Sequence, residues 1–219
     1  MKIKVSVPTD LSDIKLSQYQ KLLRVTKDIE DNLWINRQTV GIMCNLSDDM
    51  VKGLKQKEFN SMLESCTKVL EMEGTFSPII EHNGKEYGFI PNLDDITVGE
   101  KADIDLYIND WQKMDRVMAI LYRPITYRKK DKYLIEEYTG KEEPLDVTMD
   151  VVKGAFVFFY RLMNDLLIFT QSFIRDQVLQ PKTSQILEEN GVGIKTFMHS
   201  LETTFSGLRQ YLGSSSMRL

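Results

Sequence analysis

Near residue 76 the apolar residues stop recurring at steps of three and four and begin to alternate. After residue 96 the helical spacing returns. Strand side chains change face at every residue, whereas helical ones come round after about 3.6, so one chain carrying both periods must build both kinds of element. In the alternating window, "FSPIIE" and "KEYGFI" flank "HNG". Asn-Gly tolerates the positive φ of a two-residue turn, so residues 76–90 are expected to form a β-hairpin. "ITYRKKDKYLIEEY", residues 125–138, is expected to form a second hairpin with a charged tip.

Around these hairpins the pattern is helical. Ile3, Val5 and Val7 alternate with polar residues and suggest a short strand ended by Pro8. Ser17 then reads as the N-cap of a helix carrying Tyr19, Leu22, Leu23 and Val25 near one face. Residues 38–72 read as two or three short helices, one capped by Ser47 and one with Phe59, Leu63, Cys66, Val69 and Leu70 on a stripe. Residues 97–122 read as helix in two pieces, the second showing Met114, Val117, Met118 and Leu121 on one face and stopped by Pro124. Residues 145–179 are apolar on more than one side and are expected to be the central helix. Beyond Pro181, Thr183 to Glu189 suggest a short helix closed by Gly191. From residue 194 Ile194, Phe197, Met198, Leu201, Phe205, Leu208 and Leu212 mark an amphipathic helix, followed by Gly213 and a Ser-rich tail.

The expected fold is α+β and predominantly α-helical: a helical domain with two small β-hairpins, one long central helix and a C-terminal amphipathic helix. Residues 1–180 are expected to be one domain and residues 181–219 a helical appendage. Hydrophobic residues at 42% and charged residues at 27% are ordinary for a folded chain. A net charge of −4 argues against a general nucleic-acid binder, which needs a basic face. The apolar runs "GAFVFFY" and "LLIFTQSFI" are flanked by Arg161, Asp165 and Arg175, too short to span a bilayer, and "MKIKVSVPTD" lacks the apolar run of a signal peptide. Cys44 and Cys66 are expected to be reduced and buried.

Six carboxylates fall between Asp94 and Asp110, with Lys101 as the sole basic residue among them. A calcium loop needs oxygen ligands at alternating positions and a glycine at the sixth. From Asp103 those later places hold Tyr107 and Ile108, so the spacing fails. Thr97 and Glu100 instead match a capping box, in which each side chain satisfies the other's amide, and Asp94 and Asp95 suit a turn. A metal-dependent enzyme using the 94–110 carboxylates stays the alternative. No Gly-rich phosphate loop, G-x-S-x-G or zinc spacing occurs, and no local signature marks a Cys–His nucleophile. "TVGIMCNLSDDMVKGL" has a helix–turn–helix outline, but its second helix opens with two aspartates where DNA would lie. His82 is expected in solvent beside the turn, and His199 lies in the C-terminal helix.

Two features point towards partners. Arg128, Lys129, Lys130 and Lys132 form a basic tip that could touch a phosphate or an acidic surface, although such runs are commonly just solvated turns. Phe197, Leu201, Phe205 and Leu208 offer an apolar stripe to a partner or to the chain's own long helix.

Four strings in order, "LSDIKLSQYQKLL", "EYGFIPNLDDITVGE", "INDWQKMDRVMAILYRPI" and "PLDVTMDVVKGAFVFFY", resemble a family encoded in the structural-gene modules of tailed bacteriophages, including crAss-like phages. The resemblance covers roughly residues 10–170. It implies a non-enzymatic morphogenesis role: a tail, neck or capsid-associated virion component, or a tail assembly chaperone absent from the mature particle. The partners implied are other phage structural proteins, with self-association left open. No cofactor, nucleic acid or membrane is implied, and the site would be the virion, assembled in the host cytoplasm.

Overall fold

The computed structural model describes residues 5–92, 96–130, 132–159 and 161. The chain divides into two units, Met1–Ala155 and Phe156–Leu219. Within the second unit, described residues 156–159 and 161 are helical, and the Phe158 and Phe159 rings meet edge to face. Most of the expected central helix, the 180/181 domain boundary and the whole C-terminal appendage lie outside the described residues.

The first unit opens with a single 3-10 turn, Leu11–Asp13, capped by Asp10. Helices α1 (Leu16–Thr26), α2 (Asn32–Met43), α3 (Asp48–Lys52) and α4 (Gln56–Glu71) follow. α1 and α4 pack on α2. Strands β1 (Ile79–His82) and β2 (Lys85–Phe89) form the hairpin expected from Asn-Gly, with φ of 51° at Asn83 and 74° at Gly84. Helices α5 (Val98–Tyr107) and α6 (Met114–Leu121) come next, and α6 runs directly into β3 (Tyr122–Lys129) and then β4 (Lys132–Ile135). The fold is α+β and mostly helical, as expected, but the two hairpins are not separate. They join into one antiparallel sheet in the order β1-β2-β3-β4. The register places Gly88 opposite Arg123 and Phe89 opposite Tyr122.

Met114, Val117, Met118 and Leu121 are all buried and put α6 at the centre of the core. They share it with Ile14 and Leu16 at the start of α1, Val40 of α2, and Cys66 and Val69 of α4. Tyr122 continues that core into the sheet, stacking edge to face on Phe89 and donating its hydroxyl to the Ser77 carbonyl at 2.8 Å. Among the described residues no helix is long and apolar enough to cross a membrane.

Four local expectations are corrected by long-range bonds. Residues 5–9 are not a strand; the Pro8 carbonyl accepts instead from the Ser65 hydroxyl of α4 at 3.4 Å. Ser17 is not the N-cap of α1. The N-cap position is Lys15, and Asp146, distant in sequence, accepts from both the amide and the hydroxyl of Ser17 at 2.8 Å. Pro124 does not stop α6, which ends at Leu121; Pro124 sits inside β3, opposite Tyr87 of β2, and its carbonyl takes the Glu136 amide at 3.0 Å. The last helix among the described residues starts at residue 149 rather than 145, because residues 145–148 run extended beside α1. There the Leu16 amide donates to Val147 and the Met149 amide to Ile14, both at 2.8 Å.

A close approach fixes that last helix. A Cβ on Gly74 would lie 2.3 Å from the Gly154 nitrogen, and one on Gly154 would lie 2.4 Å from the Thr75 carbonyl oxygen, so both positions need glycine. Beside them Lys153 donates to the Leu70 carbonyl at 2.5 Å and to that of Met72 at 2.9 Å, placing a cation at the C-terminus of α4.

Candidate functional site

The acidic segment is occupied from within. Thr97 accepts from the Glu100 amide at 3.2 Å, while Glu100 Oε2 accepts from the Thr97 amide at 2.7 Å, so the capping box forms. Glu100 Oε1 accepts from Arg123 Nη2 at 2.6 Å. Asp103 accepts from the Tyr138 hydroxyl. Asp105 pairs with Lys101 at 2.7 Å, one turn away on α5. Asp110 accepts from the Gln112 amide at 2.9 Å and caps the 3-10 turn Trp111–Lys113. Asp94 and Asp95 lie outside the described residues. Among the described residues, no group of three or more His, Cys, Asp or Glu side chains is placed to hold a metal ion.

Within the segment, the Glu100–Arg123 pair differs from an ordinary surface bridge. Glu100 is 3% exposed and Arg123 6%. Removing two charges from water costs several kcal/mol per ion in order of magnitude, which their mutual attraction offsets only with good geometry and further hydrogen bonds. Glu100 has both, because its second oxygen is held by the helix amide. Arg123 lies with its guanidinium carbon 6.0 Å from the centre of the Tyr138 ring, while its Nε stays buried without a hydrogen-bond partner. Burial, and then the hydrogen bond to Asp103, pushes the Tyr138 hydroxyl well above the ordinary phenol range. Glu100, Arg123, Tyr138 and Asp103 therefore clamp α5 to β3. The capping half of this arrangement is legible locally, but the arginine is not, since nothing near Arg123 in sequence marks it as the partner of Glu100.

The basic tip is built the opposite way. Arg128 reaches across to Glu86 of β2 at 2.5 Å. Lys129, Lys130 and Lys132 are exposed, and none forms an ion pair among the described residues. Directly opposite one another on β3 and β4 stand Tyr127, 56% exposed, and Leu134, 60% exposed. The alternating pattern of the strands places this apolar pair next to the Lys129–Lys132 pair.

Three further features complete the candidates. Cys44, at the end of α2, and Cys66, in α4, are buried free thiols with Sγ atoms 3.8 Å apart, a proximity that their separation in sequence hid. The hydrogen bond shared with Cys44, and then burial, pushes the Cys66 thiol up. An open cleft of about 420 Å³ is lined in part by Lys21, Arg37, Gln38, Asn45 and Asp48. Arg37 already reaches Asp48 at 3.4 Å, and Asp48 is held by Lys52 at 2.5 Å. Arg37 Nε is buried without a hydrogen-bond partner. His82 is not free in solvent as expected: it ends β1, half-buried, edge-on to Tyr87.

Phe197, Leu201, Phe205, Leu208 and His199 lie outside the described residues. Compared with known proteins, the chain matches no family model, no curated protein and no solved structure.

Proposed function

We propose that this chain is a non-enzymatic protein of a tailed bacteriophage that acts through protein–protein contacts, as a tail, neck or capsid-associated component of the virion assembled in the host cytoplasm. The observation that carries the reading is that the four strings behind the phage resemblance bond to one another. Ser17 in the first is held by Asp146 in the fourth at 2.8 Å. Glu100 in the second is paired with Arg123 in the third at 2.6 Å. Gln20 in the first donates to the Trp111 carbonyl in the third, and Gln112 returns a bond to the Gln20 carbonyl, both at 2.9 Å. The four strings thus hold one another in one scaffold, which suits a protein that works by contact. The described carboxylates of the acidic segment support the same reading, since each is engaged in a cap, an ion pair or a clamp.

The test is quantitative mass spectrometry of purified particles from the phage that encodes the chain, together with electron microscopy of particles made after its gene is deleted. A stoichiometric copy number supports the virion role. Absence from particles with failed tails on deletion supports the chaperone role. Absence with normal infectious particles on deletion overturns both.

A further inference from the structure

We propose that the β3–β4 tip is a docking surface for an acidic, extended segment of a partner protein, which would add alongside β4. The inference rests on reading the chain as a contact protein and names the surface that makes the contact. Tyr127 and Leu134 are large, exposed and directly cross-strand, an apolar centre that water solvates poorly. Lys129 and Lys132 form the cross-strand pair two positions on, which the alternation of the strands puts on the same face, and Lys130 sits in the turn. These three lysines lack ion-pair partners among the described residues, whereas the neighbouring Arg128 is already paired with Glu86. An apolar pair flanked by unpaired cations is complementary to a strand that alternates acidic and apolar residues. β4 is the last strand of the sheet, so among the described residues no strand lies beyond its outer edge, where an extended segment can hydrogen-bond.

The turn itself points the same way. The first hairpin turns on Asn83 and Gly84, residue types that accept positive φ at low cost. The second holds Lys130 at φ 54°, where a non-glycine side chain is disfavoured by about 1–2 kcal/mol. Retaining a lysine there is understandable if its charge is used. A polyanion such as nucleic acid would engage the lysines as well, but it has no use for Leu134 or for a free strand edge.

The full chain is titrated by fluorescence anisotropy with three labelled probes of equal charge: an alternating Glu–Val peptide of about ten residues, a polyglutamate, and an oligothymidylate. The Glu–Val peptide is expected to bind best. Its affinity should fall about tenfold or more in Lys129→Glu/Lys130→Glu/Lys132→Glu, and again in Tyr127→Thr/Leu134→Thr, with unchanged melting curves. No binding of the Glu–Val peptide, equal binding by both variants, or tighter binding of the oligothymidylate overturns the proposal. If deleting the gene abolishes assembly but the lysine variant assembles normally, the docking surface is wrong and the assembly role stands. If deletion leaves particles normal while the peptide still binds through these residues, the assembly role is wrong and the surface stands.

Discussion

Two segments of this chain are dense in charge, and they treat it in opposite ways. Between Thr97 and Asp110 the described carboxylates turn inward or along their own helix: Glu100 to Arg123, Asp103 to Tyr138, Asp105 to Lys101, Asp110 to the backbone. Between Tyr127 and Leu134 the lysines stay in solvent around two exposed apolar side chains. Charge density in a sequence is therefore a poor guide to a site. What separates the two is whether each charge already has a partner, and that depends on elements far apart in the chain. The acidic segment organises the fold, whereas the basic tip leaves its chemistry available.

The largest effect expected on the inward side is at the buried pair. Arg123→Met leaves Glu100 charged and alone, and should cost about 3–5 kcal/mol in urea unfolding. Adding Glu100→Met should recover most of that loss, because replacing both members of a buried pair with apolar groups is often close to neutral, within roughly a few kcal/mol. A failure of the double variant to recover would mean that the helix cap, more than the ion pair, is what Glu100 contributes.

Next comes the sheet beneath the tip. A Cβ on Gly88 would lie 2.3 Å from the Tyr133 ring. That ring cannot swing aside freely, because its hydroxyl hydrogen is shared between the Phe89 carbonyl at 2.8 Å and that of Pro78 at 3.1 Å. Gly88→Ala should cost about 1–3 kcal/mol by overpacking, read as a lowered unfolding midpoint. Asp146→Ala removes the distant cap of α1 and should cost about 1 kcal/mol by the same measurement.

The smallest effect concerns acid stability. The Thr9 and Asp10 amides and the Thr9 hydroxyl hold the Asp13 carboxyl below its ordinary value of 3.8. A lowered folded value means the folded state favours the ionised form. The contribution is then present above the unfolded value and lost as the pH falls through the folded one. Asp13→Asn should flatten the acid limb of the stability profile slightly, and an unchanged limb would remove Asp13 from the account.

These positions also show what the sequence makes legible. The Asn83–Gly84 turn, the Ser47 cap and the Thr97–Glu100 box are satisfied within a few residues, so their chemistry is visible in a short string. The buried face of α6 is visible because one helix repeats it. The rest depends on contacts between distant segments: Asp146 capping α1, Arg123 reaching Glu100, Cys44 meeting Cys66, and β2 pairing with β3 to fuse two hairpins into one sheet. Pro124 misleads for the same reason. Proline ends helices in isolation, but here the sheet has already ended the helix at Leu121. At the candidate surface, the run of lysines can be read directly, while the exposure of Tyr127 and Leu134 on either side of it cannot.

The contrast is tested most directly by measuring urea unfolding of Arg123→Met beside Lys129→Glu/Lys130→Glu/Lys132→Glu under identical conditions. The account predicts a loss of about 3–5 kcal/mol for the first and a change within about 0.5 kcal/mol for the second. A small loss at Arg123 together with a large one at the lysines would contradict it, because the charges holding the fold together would then be those at the tip.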